Sequence, residues 1–406
     1  MHAKVSMLVG AVFLILALAA CTSAAEPAEE TDGSPTAVSS PAVQSEPTVA
    51  SPTELAQPTT AQETAPAATV AVTQAAPQNG EDLHPLYGLS FTNAEGLWRI
   101  DTTGAPVLLT EQTDATVLPG GKQVVYSAEP PEGGKADIWL LDLDTGERRN
   151  LTNTPDRYEE HPMGWPGQPD RVFFVSDVEC CMESGNYPTV VGLDGSGYQV
   201  LDEAVGGPYA FSPDGQKLAY GGREGRAKIY TTSGQTETFD PLPYGVNARG
   251  LLQPAWSPDG KRLAWKVSFL TGEGGATTLG VAVFDLEAKI GTTYHTYKPV
   301  GGGEVSHDLV WSPDGQWLAF VTHNETAEQG RTPNLWVMRA DGSEEVKVAP
   351  GSNPVWSPDG KYLAYLQMND QQQMEVWVLE VGQWTALPNA TSMPKAVLLI
   401  KGWTRP

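Results

Sequence analysis

The chain has 406 residues, and its 49 acidic side chains against 25 Lys and Arg give a formal net charge of −24. This acid excess disfavours nucleic acid as a partner, because phosphate binding depends on clustered Lys and Arg. Three cysteines are too few for a disulfide framework or a four-thiolate zinc site. Hydrophobic residues make up 40% of the chain, which is enough for a folded core.

Residues 1–20 have the features of an export signal. Lys4 precedes an almost wholly apolar or small run from Val5 to Ala20, which is shorter than the roughly 20 residues that span a bilayer. The run ends in Leu18-Ala19-Ala20-Cys21, which resembles the lipobox of bacterial lipoproteins. This resemblance implies that Cys21 is lipidated and becomes the new N-terminus. An ordinary secretory signal followed by an incidental cysteine is the alternative.

Residues 21–82 are predicted to be the lipidated cysteine followed by a disordered linker. Thr22 to Asp82 contains eight prolines and nine acids, with no Lys, Arg or aromatic residue. Such a segment cannot bury enough apolar surface to offset its chain entropy. We expect it to hold a folded domain, residues 83–406, away from a bacterial cell membrane or outer membrane, on the extracytoplasmic side. The lipid anchor is then the only expected membrane contact.

A motif recurs through the second half of the chain. Strong copies of the form FSPDGQKLAY or WSPDGKRLAW begin at Phe211, Trp256, Trp311 and Trp356, and weaker copies begin at Leu118 and Trp165. Successive copies lie 45 to 55 residues apart, and one further step of 47 residues reaches Trp403. A period of this size is typical of solenoids and propellers.

Each repeat predicts four short strands. Ser-Pro-Asp-Gly forms a tight hairpin, in which proline presets one dihedral angle and glycine takes a left-handed position. Alternating apolar residues follow it, then a third strand such as DIWLLD at Asp137, and a short fourth strand. Leu86–Glu111 lacks a first strand, whereas the segment around Trp403 is a first strand with nothing after it. Joined, they complete an all-β, seven-bladed β-propeller closed by its terminal strands, with six blades as the competing count.

The repeat resembles a known family. WSPDGKYLAY at Trp356 and NLWVMRADG at Asn334 are similar to the WD40-like (PD40) repeat of TolB-type propellers, which also occurs in the non-catalytic propellers of prolyl-oligopeptidase relatives. The resemblance covers nearly all of Leu86–Pro406 and implies a propeller fold. TolB carries an α/β domain before a six-bladed propeller, where this chain has its linker. The peptidases carry a GxSxG nucleophile motif that is absent from this sequence.

Candidate ligand-binding residues lie where the fourth strand of one blade leads to the first strand of the next, or in long loops on that same face. Irregular loops on a rigid scaffold are the usual location of binding sites. We interpret Tyr158–His161, Tyr244–Arg249 and Val305–Asp308 as connections of this kind. The candidates are Tyr158, Glu160, His161, Cys180, Cys181, Tyr244, Arg249, His307 and Asp308.

Two features of these candidates leave alternatives open. Cys180 and Cys181 form either a vicinal disulfide that stiffens the loop or two thiols. The pairs Glu160–His161 and His307–Asp308 suggest a metal, but a metal site needs three or four convergent ligands. We therefore expect hydrogen-bonded loop residues and no metal or other cofactor. The repeated tryptophans are expected to pack blade against blade.

The sequence contains no catalytic set that can be assembled from its motifs. We expect a monomeric, membrane-anchored binding or scaffold module for an envelope or extracellular protein, peptide or glycan. One alternative is an extracytoplasmic hydrolase or lyase at the channel mouth that uses Glu160, His161, Arg249, His307 or Asp308. A second alternative is a structural envelope protein related to Tol–Pal assembly.

Overall fold

The computed structural model describes residues 84–177, 186–203, 208–221, 226–240, 242, 248–271, 276–298, 308–323, 332–387 and 396–404. The predictions for residues 1–20 and 21–82 lie outside these ranges, as do Cys180, Cys181, Tyr244, His307 and the side chain of Arg249. The regular elements of the described residues are β-strands, and these residues include no helix that is long and apolar enough to cross a membrane.

The described strands form seven four-stranded antiparallel sheets, each of which is one blade of a β-propeller. Strands are numbered in chain order and given from the inner to the outer edge of each blade. Blade 1 contains β28 (Leu399–Trp403), β1 (Leu89–Asn93), β2 (Gly96–Ile100) and β3 (Pro106–Thr110). Blade 2 contains β4 (Ala115–Val117), β5 (Gln123–Ala128), β6 (Asp137–Asp142) and β7 (Arg148–Asn150). Blade 3 contains β8 (Glu159–Trp165), β9 (Gln168–Asp177), β10 (Asn186–Gly192) and β11 (Gln199–Val200).

The remaining four blades follow the same order along the chain. Blade 4 contains β12 (Tyr209–Phe211), β13 (Lys217–Gly221), β14 (Ala227–Thr231) and β15 (Thr236–Phe239). Blade 5 contains β16 (Ala248–Trp256), β17 (Arg262–Thr271), β18 (Ala276–Asp285) and β19 (Ile290–Tyr297). Blade 6 contains β20 (Leu309–Trp311), β21 (Trp317–Thr322), β22 (Asn334–Arg339) and β23 (Val346–Pro350). Blade 7 contains β24 (Ser352–Trp356), β25 (Tyr362–Met368), β26 (Met374–Glu380) and β27 (Thr385–Ala386).

The ring closes as predicted, through pairing of the C-terminal strand with the start of the propeller. β28 lies antiparallel to β1, with Leu89 opposite Trp403 and Thr92 opposite Leu399. The Trp403 indole N–H donates to the Tyr87 carbonyl oxygen at 3.0 Å. Blade 1 is therefore the composite blade, and the count of seven is confirmed. Because β28 covers the inner edge of β1, that edge is not left open for pairing with another chain.

The Ser-Pro-Asp-Gly hairpin is closed by its own side chains. In blade 5 the Ser257 hydroxyl accepts the Arg262 N–H at 2.9 Å and donates to Asp259 Oδ1 at 2.5 Å. Gly260 has φ = 68°, in the left-handed region where a Cβ is disfavoured. The turn therefore repeats because its backbone geometry needs these residue types at these positions.

The inner-strand tryptophans join neighbouring blades. The indole N–H groups of Trp256, Trp311 and Trp356 each donate to a carbonyl oxygen of the preceding inner strand, at 3.0, 3.0 and 3.4 Å. Their side chains are buried within the apolar clusters between blades. The prediction that these tryptophans pack blade against blade is confirmed for these three positions.

The strand directions define two faces of the propeller. We call the face where the inner strands begin the mouth face, and the opposite face, which carries the Ser-Pro-Asp-Gly turns, the hairpin face. Two inner strands begin earlier than the sequence indicated, since Glu159–His161 belong to β8 and Ala248–Arg249 belong to β16. The interpretation of these residues as connections is wrong because bulges in both strands disrupt the alternation that marks a strand.

Candidate functional site at the channel mouth

Charged side chains from three adjacent blades meet on the mouth face. Asp114 directly precedes β4, Glu160 and His161 lie near the start of β8, and Lys401 lies in β28. The His161 backbone N–H donates to Asp114 Oδ2 at 2.7 Å, and His161 Nδ1 lies 3.4 Å from Asp114 Oδ1. Lys401 Nζ lies 3.8 Å from the same Oδ1. We call these four residues the mouth cluster.

A β-bulge places His161 in this cluster. The register of β8 against β9 shifts between Glu160 and Met163, and His161 has φ = 58°. A left-handed conformation costs about 1 kcal/mol for a residue with a Cβ. The hydrogen bond from its backbone N–H to Asp114 offsets this cost. The His161 side chain is 66% exposed, so the bulge presents an imidazole at the mouth of the channel.

The charges of the mouth cluster support one another. Burial alone would raise the pKa of Asp114, but hydrogen bonds from His161 and the positive charges of His161 and Lys401 lower it overall. The hydrogen bond to Asp114 raises the pKa of His161. Burial lowers the pKa of Lys401, against the opposing effect of Asp114. Asp114 is therefore the carboxylate that contacts both the His161 imidazole and the Lys401 ammonium.

One nitrogen of His161 faces outward from this arrangement. Nδ1 lies beside Asp114, while Nε2 lies 4.0 Å from Glu160 Oε1 and makes no direct hydrogen bond to that carboxylate. When Nδ1 carries the proton, neutral histidine presents a lone pair at Nε2, and protonated histidine presents an N–H there. The imidazole can thus accept a hydrogen bond from a ligand or donate one to it, according to pH.

A fifth residue ties blade 7 to the strand that carries Lys401. Asn353 has φ = 53° near the start of β24, and its Oδ1 accepts a hydrogen bond from the Ile400 backbone N–H. Blade 7 and blade 2 therefore contact β28 from its two sides. Lys401 is held on a strand with a fixed position, which a binding site requires.

Of the other predicted residues, Tyr158 and Asp308 lie within the described ranges, both on the mouth face. Tyr158 is 45% exposed, and its backbone N–H donates to Asp177. Asp308 precedes β20 in blade 6, and its carbonyl oxygen accepts the Val321 N–H at 3.1 Å. Within the described ranges, no group of three or more His, Cys, Asp or Glu side chains is arranged to hold a metal ion.

Sequence reasoning missed Asp114, Lys401 and Asn353. A usable signal existed, because Asp114 and Asn353 both lie three residues before the last residue of an inner strand, as Asp308 does. Aligning the weak first repeat with the strong ones would have selected these positions. Lys401 carries no such signal, since its blade is split between the two ends of the chain.

A second acidic group lies beneath the mouth cluster, between blades 2 and 3. Glu159 is fully buried and Asp137 is 1% exposed. The Thr154 hydroxyl lies 2.8 Å from Glu159 Oε1 and 3.3 Å from Asp137 Oδ1. Because the hydroxyl has one proton, it donates a well-aligned hydrogen bond to only one of the two carboxyl groups. Burial raises the pKa of Glu159. We infer that Glu159 holds a proton more strongly than an ordinary glutamate.

Comparison with known proteins yields fold similarity and one partial sequence match. No family model matches the chain. Over 167 residues, the chain is 30% identical to an uncharacterized peptidase, YuxL, of Bacillus subtilis. This match covers 32% of this chain and 23% of that protein. The chain therefore matches only about a quarter of the length of this relative.

Two solved structures illustrate the likeness in fold. The oligogalacturonate lyase of Vibrio parahaemolyticus has a TM-score of 0.53 and 13% identity, over 71% of this chain and 84% of the lyase. TolB of Acinetobacter baumannii has a TM-score of 0.40 and 15% identity, over 66% of this chain and 63% of TolB, which is less than two thirds of its length. At 13% identity, the likeness to the lyase shows a common fold alone. The chain is a seven-bladed β-propeller, and TolB proteins are among its structural neighbours.

Proposed function

We propose that this chain is an extracytoplasmic binding module that holds a protein, peptide or glycan partner on its mouth face. The observation that supports the proposal most is the convergence of Asp114, His161 and Lys401 from three adjacent blades, with the imidazole two-thirds exposed. Inner strands of a propeller are rigid, so the cluster is organised before a partner arrives. Preorganised polar groups lose little entropy on binding.

The sequence features at the N-terminus complete this proposal. The export signal at residues 1–20 and the lipobox ending at Cys21 would deliver and anchor the chain, and the linker would separate the propeller from the membrane. Mass spectrometry of the mature protein from its native membrane tests this part. The expected product begins at a diacylated Cys21, whereas an unmodified product cleaved elsewhere would contradict it.

The binding role is tested with the full-length chain, purified in detergent, on peptide and glycan arrays. His161→Ala should raise the Kd of a ligand that binds the mouth face about tenfold, which corresponds to the loss of one hydrogen bond to a charged group. Glu287→Gln is the control, because Glu287 is exposed, as His161 is, but lies on the hairpin face. Array ligands that bind both variants as tightly as the unaltered protein would contradict the proposal.

An acid–base enzyme is the second candidate, and the Asp114–His161 pair favours it. A carboxylate that orients a histidine whose other nitrogen is exposed is the usual arrangement for a general base. In the described residues, no hydroxyl or thiol is hydrogen-bonded to His161 as a nucleophile would be. A hydrolase or lyase would therefore activate water or remove a proton directly. Turnover of a bound array ligand that is lost in His161→Ala would establish this candidate, and binding without turnover would exclude it.

A further inference from the structure

The exposed charges of the mouth face are mostly negative. In the described loops of this face, the exposed acids are Glu95, Glu111, Glu129, Glu132, Asp156, Glu203, Asp240 and Asp370. The exposed bases in the same loops are Arg226 and Lys298. The described loops of the mouth face therefore carry an excess of exposed negative charge, which attracts cations.

The hairpin face is also rich in acids, but many of them serve the turns themselves. Asp194, Asp259 and Asp341, for example, each accept a backbone N–H two residues further along the chain. Exposed bases are mixed among them, namely Lys122, Arg148, Arg149, Lys261, Lys289 and Lys361. Several acids of the hairpin face thus have structural partners within their own turns.

Three exposed acids of the mouth face, Glu95, Glu111 and Asp370, belong to blades 1 and 7. Within the part of the chain that the structure describes, their carboxylates form no ion pair with Lys or Arg. These charges attract an approaching cation.

An exposed apolar patch lies on the mouth face where blades 7 and 1 meet. Met368 is 58% exposed, Leu398 is 62% exposed and Leu399 is 40% exposed. Their backbones are linked through one intervening strand, because Met368 pairs with Met374, whose carbonyl oxygen accepts the Val397 N–H at 3.1 Å. Exposed apolar groups that cluster in this way mark interaction sites on soluble proteins. Glu95, Glu111 and Asp370 lie on loops of these same two blades.

We propose that this surface binds a cationic polypeptide segment that carries apolar side chains. The patch at Met368, Leu398 and Leu399 would take the apolar side chains, and the surrounding acids would attract Lys and Arg. This inference rests on the proposed binding function and names its partner class. Charge complementarity of this kind sets partner choice and speeds association.

The composition of the mouth face favours a polypeptide over a glycan. Sugar rings stack on exposed aromatic side chains, and Tyr158 is the one aromatic residue among the large exposed hydrophobic residues of the described chain. Anionic glycans would be repelled by the acids of the surrounding loops. A polypeptide with alternating basic and apolar residues places apolar side chains on the patch and basic side chains beside the acids.

The test measures binding of short synthetic peptides to the full-length chain in detergent. One peptide alternates Lys and Leu, a second alternates Glu and Leu, and a third alternates Lys and Ser. The Lys/Leu peptide should bind most tightly, and its Kd should rise with salt as screening weakens the charges. The Glu/Leu peptide should not bind. Equal binding of Lys/Leu and Lys/Ser peptides would overturn the role of the patch.

Matched triple variants locate the surface. Glu95→Gln, Glu111→Gln and Asp370→Asn together should raise the Kd of the Lys/Leu peptide about tenfold or more, because three modest attractions to Lys are lost at once. Glu147→Gln, Asp170→Asn and Glu287→Gln remove the same number of exposed acids from the hairpin face. This control should leave the Kd unchanged. If both triple variants weaken binding equally, the attraction is non-specific and the inference is wrong.

The outcome also separates this inference from the proposed function. If an array ligand depends on His161 while the Lys/Leu peptide fails to bind, the binding function stands and the partner class is wrong. If peptide binding depends on the three mouth-face acids but no array ligand depends on His161, the surface is real and the mouth cluster is not its centre.

Discussion

The two faces of the propeller are built from opposite ends of the same strands, but their residues repeat from blade to blade to different extents. On the hairpin face, Ser257, Asp259 and Gly260 recur as Ser357, Asp359 and Gly360 with the same internal hydrogen bonds. On the mouth face, an Asp or Asn recurs near the start of three inner strands, but the other residues at these starts differ from blade to blade. A residue that recurs at the same position serves the backbone geometry, whereas a residue that varies is available for a site.

The largest effect on stability is expected for a glycine substitution on the hairpin face. A Cβ at Gly215, which has φ = 65°, would overlap the carbonyl oxygen of Pro166 in the neighbouring blade. Gly215→Ala should therefore lower the free energy of unfolding by about 3 kcal/mol or more. Gly260→Ala is the matched control, because its turn has the same geometry but the nearest atom to a new Cβ is 3.9 Å away. Its cost should be about 1 kcal/mol. Equal costs in urea unfolding would show that blade contact at the turn is unimportant.

An intermediate effect is expected at the mouth cluster. Asp114→Asn leaves the largely buried Lys401 ammonium without its anion and should destabilise the protein by about 1–2 kcal/mol. The pKa of His161 should also fall, because its hydrogen bond to Asp114 is the main reason for its elevation. Histidine titration by NMR measures this change. Glu111→Gln, an exposed acid three residues away, should change neither quantity, and an unmoved His161 pKa in Asp114→Asn would refute the pairing.

The smallest effect concerns the pH dependence of stability beneath the mouth cluster. Because burial raises the pKa of Glu159 above its ordinary 4.5, the unfolded chain loses this proton at a lower pH than the folded chain does. The stabilising contribution of the protonated form is thus complete below that ordinary value and is lost as pH rises through the folded pKa. A tenfold difference in proton affinity between the folded and unfolded chains corresponds to about 1.4 kcal/mol.

Glu159→Gln tests this directly, since glutamine stays neutral. The variant should lose less stability than the unaltered protein as pH rises from acidic to neutral in urea unfolding. Parallel pH slopes for the unaltered protein and Glu159→Gln would mean that Glu159 is ionised in the folded state.

Sequence reasoning selected some residues of the candidate site and missed others. The sequence assigned Tyr158, Glu160 and His161 to the face where the inner strands begin, from their distance to Trp165, and the structure has Glu160 and His161 within β8 itself. Asp114 was overlooked because the first repeat departs from the Ser-Pro-Asp-Gly pattern. The bulge at His161 could not be predicted, since a bulge depends on pairing with a neighbouring strand that the local sequence does not specify.

The amino-acid sequence alone determined the repeat, the four-strand blade and the joining of both termini in one blade. It could do so because turn geometry and strand alternation are local requirements that recur every 45 to 55 residues. Only the tertiary structure decided which side chains meet at the mouth. Asp114 and Lys401 lie far apart in the chain, and the closed ring brings them together through neighbouring inner strands. Contacts of that kind depend on ring closure and bulges, which are not encoded in any single repeat.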